Sequence, residues 1–110
     1  MAKIEWSEEA KQAFRAYVEN ARLEFGVSTA RQWQTERKSL EWNLKRYPTS
    51  FTPEALLQER KLLYRRCHLM NRRFKLIYFY DEQNDTVRIV DIWDSKMNPK
   101  ALVRRIEKSE

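Results

Sequence analysis

Hydrophobic positions follow two different spacings along this chain, and each spacing predicts a different kind of element. Between Ser7 and Tyr47, apolar residues recur every three or four positions, which is typical of amphipathic helices. Between Lys61 and Trp93 they come in short runs rich in aromatic and β-branched residues, which favours β-strands. The pattern therefore predicts a helical half followed by a sheet-forming half.

The helical half is preceded by a short predicted strand at Lys3–Trp6. Ser7 is a good N-cap for the first helix, and Gly26, the only glycine of the chain, is expected to end it in a left-handed cap. Ser28 is expected to cap a second helix, which Pro48 ends. Because about three residues would join the two helices, they should form an antiparallel hairpin.

Three strands are predicted in the second half, at about residues 61–69, 73–81 and 86–93. Polar turns separate them, and a short C-terminal helix is expected to start near Asn98 and Pro99. Together these elements predict one α+β domain over residues 1–110. In that domain a three-stranded antiparallel meander follows the helical hairpin, and the helices pack on one face of the sheet.

The positive charge of the chain belongs to the sheet-forming half. The formal net charge is +6; residues 1–59 contain nine basic and nine acidic side chains, and residues 60–110 contain thirteen and seven. This asymmetry indicates an anionic partner, either nucleic acid or an acidic protein segment, although a charge excess also serves solubility.

Cations recur along the predicted strands among apolar and aromatic residues. Side chains alternate between the two faces of a strand. One face of the second predicted strand would carry Phe74, Leu76, Tyr78 and Tyr80, and the other Arg73, Lys75, Ile77 and Phe79. One face of the third would carry Val87, Ile89, Asp91 and Trp93. The face without helices is expected to be open, basic and partly aromatic, which suits a phosphate backbone, unless these cations are ordinary outward-facing residues.

Neither a metal set nor a nucleotide-binding motif is found. Cys67 is the only cysteine and His68 the only histidine, so no disulfide and no Cys/His metal site is expected. His68 is a possible general base, but a lone histidine in a strand is more often structural. No cofactor is expected. The single cysteine and the lack of a signal peptide or a membrane span predict a cytoplasmic protein without membrane contact.

Five short motifs occur in a fixed order along the chain. They are IEWSEEA at residues 4–10, the pair Arg65–Arg66, FKLIY at residues 74–78, VRIVDIWDSK at residues 87–96 and NPKAL at residues 98–102. In this order and spacing they resemble the RelE/ParE superfamily of bacterial type II toxins, over nearly the whole chain. The resemblance implies a small growth inhibitor, encoded beside an antitoxin whose disordered segment wraps and neutralises it.

The superfamily has two branches, and the resemblance therefore implies alternative targets. RelE-like members enter the ribosomal A site and cut mRNA without a metal, whereas ParE-like members inhibit DNA gyrase and are not nucleases. The cation-rich sheet favours a ribosome-dependent mRNA endonuclease. The alternatives are a gyrase inhibitor and a non-toxic binding module of the same fold, and whether the chain is an enzyme depends on the branch.

The resemblance also assigns candidate site residues. Lys75 matches a strand arginine of the family, Arg65 or Arg66 matches the arginine before it, and Lys96 matches an arginine after the last strand. Asp94 stands where many members carry histidine; as a carboxylate it is a poor general acid, which favours the gyrase alternative. The candidate catalytic residues are Arg65, Arg66, Lys75 and Lys96. The candidate nucleic-acid-binding residues are Arg65, Arg66, Arg73, Lys75, Arg88 and Lys96.

Overall fold

The computed structural model describes residues 1–109, which form a four-stranded sheet with helices on both faces. In chain order the elements are β1 (Lys3–Trp6), α1 (Glu8–Phe25), α2 (Val27–Arg46), a 3₁₀ helix (Ala55–Leu57), β2 (Tyr64–Leu69), β3 (Phe74–Asp81), β4 (Thr86–Asp94) and α3 (Pro99–Ser109). The sheet order is β1-β4-β3-β2, with β1 parallel to β4 and the other pairs antiparallel. The predicted α+β fold is confirmed. No helix among these residues is long and apolar enough to cross a membrane.

The helical hairpin turns on a single residue. Ser7 caps α1 as predicted, because its Oγ accepts a hydrogen bond from the amide of Ala10 at 3.0 Å. Gly26 ends α1 and directly precedes α2, with φ +98° and ψ 178°. This is an extended conformation reserved for glycine rather than the predicted left-handed cap. The predicted cap at Ser28 is wrong, since α2 begins at Val27 and no side chain caps it.

Replacing Gly26 tests this tight junction. A Cβ added at Gly26 would meet no atom within 4 Å, so the cost of Gly26→Ala is backbone strain rather than a clash. We expect the free energy of unfolding to fall by about 1–3 kcal/mol in a denaturant titration. Ser28→Ala, an exposed neighbour without a capping role, is the control and should change it by less than about 0.5 kcal/mol. Equal effects of the two substitutions would contradict the assignment of strain to Gly26.

The hairpin covers one sheet face, called here the hairpin face. Trp33 of α2 is the centre of its aromatic packing, with ring centroids 4.7 Å from Phe74 and 5.8 Å from both Phe14 and Tyr17. The other fully buried side chains of this core include Leu44, Leu76, Tyr78, Val87, Ile89 and Ile92. The alternation predicted for the second strand is thereby confirmed, since its even-numbered residues lie on the hairpin face.

The second sheet face, called here the α3 face, is not open, and the prediction of helices on one face only is wrong. Leu102 and Ile106, one turn apart on α3, pack with Leu57 against Ile77 and Trp93. An ion pair between Arg105 and Asp91 at 2.8 Å also joins α3 to β4. Burial of these apolar groups stabilises α3 on the sheet, so the face that was predicted to be open is partly covered.

A β-bulge in β4 changes which residues share a face. Ile77 pairs with Asp91 but Tyr78 pairs with Ile89, so Val90 is an extra residue between them. Because a bulge shifts the alternation by one residue, Ile89 lies on the hairpin face and Asp91 on the α3 face. The prediction that both share a face is wrong, and the bulge is what directs Asp91 towards α3.

The connection between α2 and β2 runs along the free edge of β2; we call residues 48–57 the strap. The Arg66 amide donates to the carbonyl of Thr52 at 3.0 Å, and the Glu54 amide donates to the carbonyl of Tyr64 at 2.8 Å. The hydroxyl of Tyr78 donates to the carbonyl of Pro48 at 2.7 Å. The strap therefore covers an edge that would otherwise be open to pairing with another strand.

Candidate functional site

Two of the candidate site cations, Arg66 and Lys75, converge on one buried carboxylate. Lys75 Nζ lies 3.0 Å from Oε1 and 3.3 Å from Oε2 of Glu54, and Arg66 Nη1 lies 3.6 Å from Oε2. The Glu54 side chain is 1% exposed, whereas those of Lys75 and Arg66 are 19% and 25% exposed. These three residues, the Glu54 cluster, hold two positive charges and one negative charge on the α3 face.

Arg65 lies on the hairpin face, away from its neighbour Arg66. Its register partner is Tyr78, whose side chain is part of the hairpin-side core. Nη1 of Arg65 donates to the carbonyl of Phe51 in the strap at 2.6 Å. Because adjacent strand residues face opposite ways, the two arginines cannot bind one phosphate together.

Arg73 and Asp94 form a two-bonded ion pair at the end of the sheet. Arg73 Nε and Nη2 donate to the two carboxylate oxygens of Asp94 at 3.0 and 3.3 Å. This pairing, with the amide of Lys96 also donating to Asp94 at 2.9 Å, holds the pKa of Asp94 below its usual value. Asp94 is therefore ionised at neutral pH and cannot donate a proton.

Lys96 lies in the turn after β4 with its side chain exposed. Among residues 1–109, no carboxylate lies within ion-pair distance of its amine, which distinguishes it from Arg66, Arg73 and Lys75. It is the catalytic candidate best placed to meet an external anion.

A pocket of about 480 Å³ lies beside the Arg73–Asp94 pair, between the helical hairpin and the turn from β2 to β3. Aromatic side chains of Tyr17, Trp33 and Phe74 line it. The pKa of Tyr17 is raised, chiefly by burial and then by the negative charge of Asp94. Tyr17 is thus protonated at neutral pH, so it can donate a hydrogen bond there but cannot act as a base.

Arg88 is held by two carboxylates at the other end of β4. Its Nε donates to Oδ2 of Asp81 at 3.0 Å, and its Nη1 donates to Oε2 of Glu5. The pairing crosses three strands, since Glu5 is on β1 and Asp81 on β3. Its charge is balanced within the chain, and it lies apart from the other candidates.

His68 is on the α3 face beside the Glu54 cluster, with Lys75 as its register partner. Partial burial lowers the pKa of His68 below its ordinary value, and the positive charges of Arg72, Arg66 and Lys75 lower it further, while Glu54 acts in the opposite direction. The imidazole is therefore neutral at pH 7 and able to accept a proton.

The lowered pKa of His68 predicts a specific pH dependence of stability. The unfolded chain, in which histidine titrates near its ordinary value of 6.5, binds the proton more readily than the folded one. The stability that neutral His68 contributes is thus present above about pH 6.5 and is lost as the pH falls through the folded pKa. We expect wild type to lose more stability than His68→Gln between pH 7.5 and 5 in denaturant titrations. Parallel pH curves would contradict this.

The candidate residues do not come together in one open site that combines a general acid or base with several cations. The candidates are divided among the Glu54 cluster, the strap contact of Arg65, the Arg73–Asp94 pair, the Arg88 ion pairs and the exposed Lys96. Within the described part of the chain no group of three or more His, Cys, Asp or Glu side chains is placed to hold a metal ion. The sheet therefore presents fewer free cations than its sequence indicates.

Glu54 is the residue of this region that sequence reasoning missed. It is a single acid in an irregular connection, 21 positions from Lys75, and its burial could not be read from any spacing. A weak signal was present, because Glu54 is the only charged residue in the segment from Pro48 to Gln58.

A model of a known protein family matches most of the chain. The family is described as "ParE toxin of type II toxin-antitoxin system, parDE", and it matches residues 4–99. No curated protein sequence gives a significant match to the chain.

Several solved structures share the fold at low sequence identity. A structure of the chromosomal ParDE system from P. aeruginosa has a TM-score of 0.66 at 14% identity and covers 86% of this chain and 96% of that one. A metal-bound toxin from Helicobacter pylori has a TM-score of 0.59 at 20% identity, and the match covers 89% of this chain and 100% of that one. The isolated E. coli RelE toxin has a TM-score of 0.58 at 15% identity, and the match covers 96% of this chain and 99% of that one. These likenesses concern the fold, and both branches of the superfamily are among them.

Proposed function

This chain belongs to the ParE toxin family of type II toxin–antitoxin systems, within the RelE/ParE superfamily, and we propose that it arrests growth by binding DNA gyrase rather than by cutting mRNA. Membership implies a cognate antitoxin as its partner. The gyrase target is the one that the ParE-like branch uses. We further propose that the protein acts in the cytoplasm, where gyrase and the ribosome both lie.

One observation carries the choice of target: four of the six cations that would hold an RNA backbone, Arg66, Arg73, Lys75 and Arg88, are paired with carboxylates of the chain. Glu54 binds Lys75 and Arg66, and Asp94 binds Arg73. Phosphate contacts depend on cations that can exchange a counterion for a phosphate oxygen. A carboxylate buried against a cation opposes that exchange, and an ionised Asp94 supplies no proton for the leaving oxygen of RNA cleavage.

A supercoiling assay with purified components tests the proposal. The protein is titrated into gyrase, ATP and relaxed plasmid, and we expect supercoiling to stop at concentrations near that of gyrase. Relaxation by topoisomerase I under the same conditions is the control and should be unaffected. Undiminished supercoiling at a hundredfold excess of folded protein would remove gyrase as the target.

A ribosome-dependent mRNA endonuclease is the second candidate, with Arg65, Arg66, Lys75 and Lys96 as its catalytic residues. The observation in its favour is His68, a neutral imidazole beside two cations, which is the combination a proton acceptor for a ribose hydroxyl requires. If this candidate is correct, His68→Ala abolishes new mRNA ends in primer extension on translated mRNA while leaving the protein folded. If no new ends form with wild type, it fails.

A further inference from the structure

We propose that Arg66 and Lys75 form an oxyanion-binding site, which Glu54 of the strap fills from within the chain. The ligand class is a small oxyanion, of carboxylate or phosphate type, that takes the place of the Glu54 carboxylate once that side chain is removed. This inference concerns binding at the α3 face alone, so it holds or fails independently of the gyrase target.

The first support is convergence. The two cations come from adjacent strands, and their nitrogens approach the same carboxylate, with Lys75 at 3.0 and 3.3 Å and Arg66 at 3.6 Å. Charge-assisted hydrogen bonds from lysine and arginine to one oxyanion are the usual way in which proteins hold carboxylates and phosphates. The arrangement is thus an anion site in its geometry, whatever the source of the anion.

The second support is the charge balance. Among residues 1–109, Glu54 is the only carboxylate within 4.0 Å of either Arg66 or Lys75. The positive charge of the pair is therefore only half compensated, and the charges of Arg66, Lys75 and Arg72 all reach His68, where they act against its protonation. Loss of Glu54 would leave both cations without a counter-charge in a half-buried place, which creates a strong demand for an anion.

The third support is that the cations and the carboxylate belong to different parts of the fold, the sheet and the strap. Lys75 and Arg66 stand on β3 and β2, whose paired backbones fix their positions. Glu54 stands on the irregular strap, which is attached to the edge of β2. Arg66 Nη1 is oriented a second time by the carbonyl of Pro53 at 3.0 Å. Removing the Glu54 side chain thus removes the occupant and leaves the two strand positions that carry the cations unchanged.

Anion rescue of Glu54→Ala tests the proposal. The variant and wild type are titrated with sodium phosphate and, separately, with sodium formate, and sodium chloride keeps the ionic strength constant. We expect both anions to raise the Tm of the variant in proportion to ln(1 + c/Kd), where c is the anion concentration, by about 5 °C at tenfold excess over the Kd. Wild type should show no such logarithmic rise, because its site is occupied. The anion with the lower Kd identifies the preferred class.

A second readout locates the bound anion. His68 is the only histidine, so its ring resonance in a proton NMR spectrum belongs to one known position. In Glu54→Ala its pKa should fall below that of wild type and rise again as phosphate binds. If Glu54→Ala does not fold, Glu54→Ser also removes the carboxylate and leaves room for the anion, and the same fall and recovery are expected in it.

Two matched variants decide the result. Glu19→Ala removes one carboxylate from an exposed ion pair with Arg22 on α1, so it changes the net charge equally without opening a site. Glu54→Ala/Lys75→Ala lacks half of the proposed site. Neither should respond to phosphate or formate beyond wild type. An equal response of Glu19→Ala, or an undiminished response of the double variant, overturns the proposal.

Discussion

Trp33→Ala is expected to lower the free energy of unfolding by about 3–5 kcal/mol, the largest single effect that we predict for this chain. Trp33 is 2% exposed, and its ring contacts Phe14, Tyr17 and Phe74 in the hairpin-face core. Truncation leaves a cavity between α1, α2 and β3 that these aromatic neighbours cannot fill. The measurement is a denaturant titration followed by fluorescence or circular dichroism.

The matched control lies on the same helix. Trp42 is 53% exposed, and its main contact is the guanidinium of Arg46 at 4.0 Å from the ring centroid. Exposed cation–π contacts contribute about 0.5–1 kcal/mol, so Trp42→Ala should cost no more than that. Similar losses from the two tryptophans would mean that the hairpin is not packed as described.

Lys75→Met is expected to lower the free energy of unfolding by about 3 kcal/mol, the second largest effect. Methionine keeps much of the side-chain volume but leaves the buried Glu54 carboxylate with only Arg66, which lies at the longer distance of 3.6 Å. The cost is that of an under-compensated buried charge rather than of lost packing. The double variant Glu54→Gln/Lys75→Met should recover most of the loss, because it removes both partners.

Arg73→Met is the control for an exposed ion pair. Arg73 is 43% exposed and bonds Asp94, so solvent screens the interaction and its loss should cost less than about 1 kcal/mol. If Lys75→Met and Arg73→Met cost the same, burial of Glu54 is not what distinguishes the two pairs.

The order and type of the elements followed from local signals. Each of these signals depends on residues that are close together in the sequence, so local rules predict them well. They are the apolar stripe of the helices, the N-cap at Ser7, the end of α1 at Gly26 and the alternation in β3. The second sheet face was misjudged because Leu102 and Ile106 give α3 an apolar side whose destination depends on the whole fold. The face of Asp91 was misjudged because one extra residue, Val90, reverses the alternation and has no sequence signature.

The candidate site was predictable only as a set of cations. The position of Arg65 or Arg66 along its strand predicts the sheet face on which its side chain lies, but it does not predict which acidic side chain pairs with it. Glu54, Asp94 and Glu5 reach their partners from distant elements, so the ion pairing of Arg66, Lys75, Arg73 and Arg88 is a tertiary property. The family could be recognised from ordered motifs, whereas the choice between RNA and gyrase rests on these contacts.

The most direct test of a gyrase-binding rather than an mRNA-cutting toxin is to map 5′ ends of cellular mRNA after inducing the chain without its antitoxin. Growth arrest confirms that the folded protein is active in the same culture, and an uninduced culture serves as the control. We predict arrest with no new ends inside translated reading frames. Arrest accompanied by new ends at defined codon positions, absent from the uninduced culture, would contradict the proposed function.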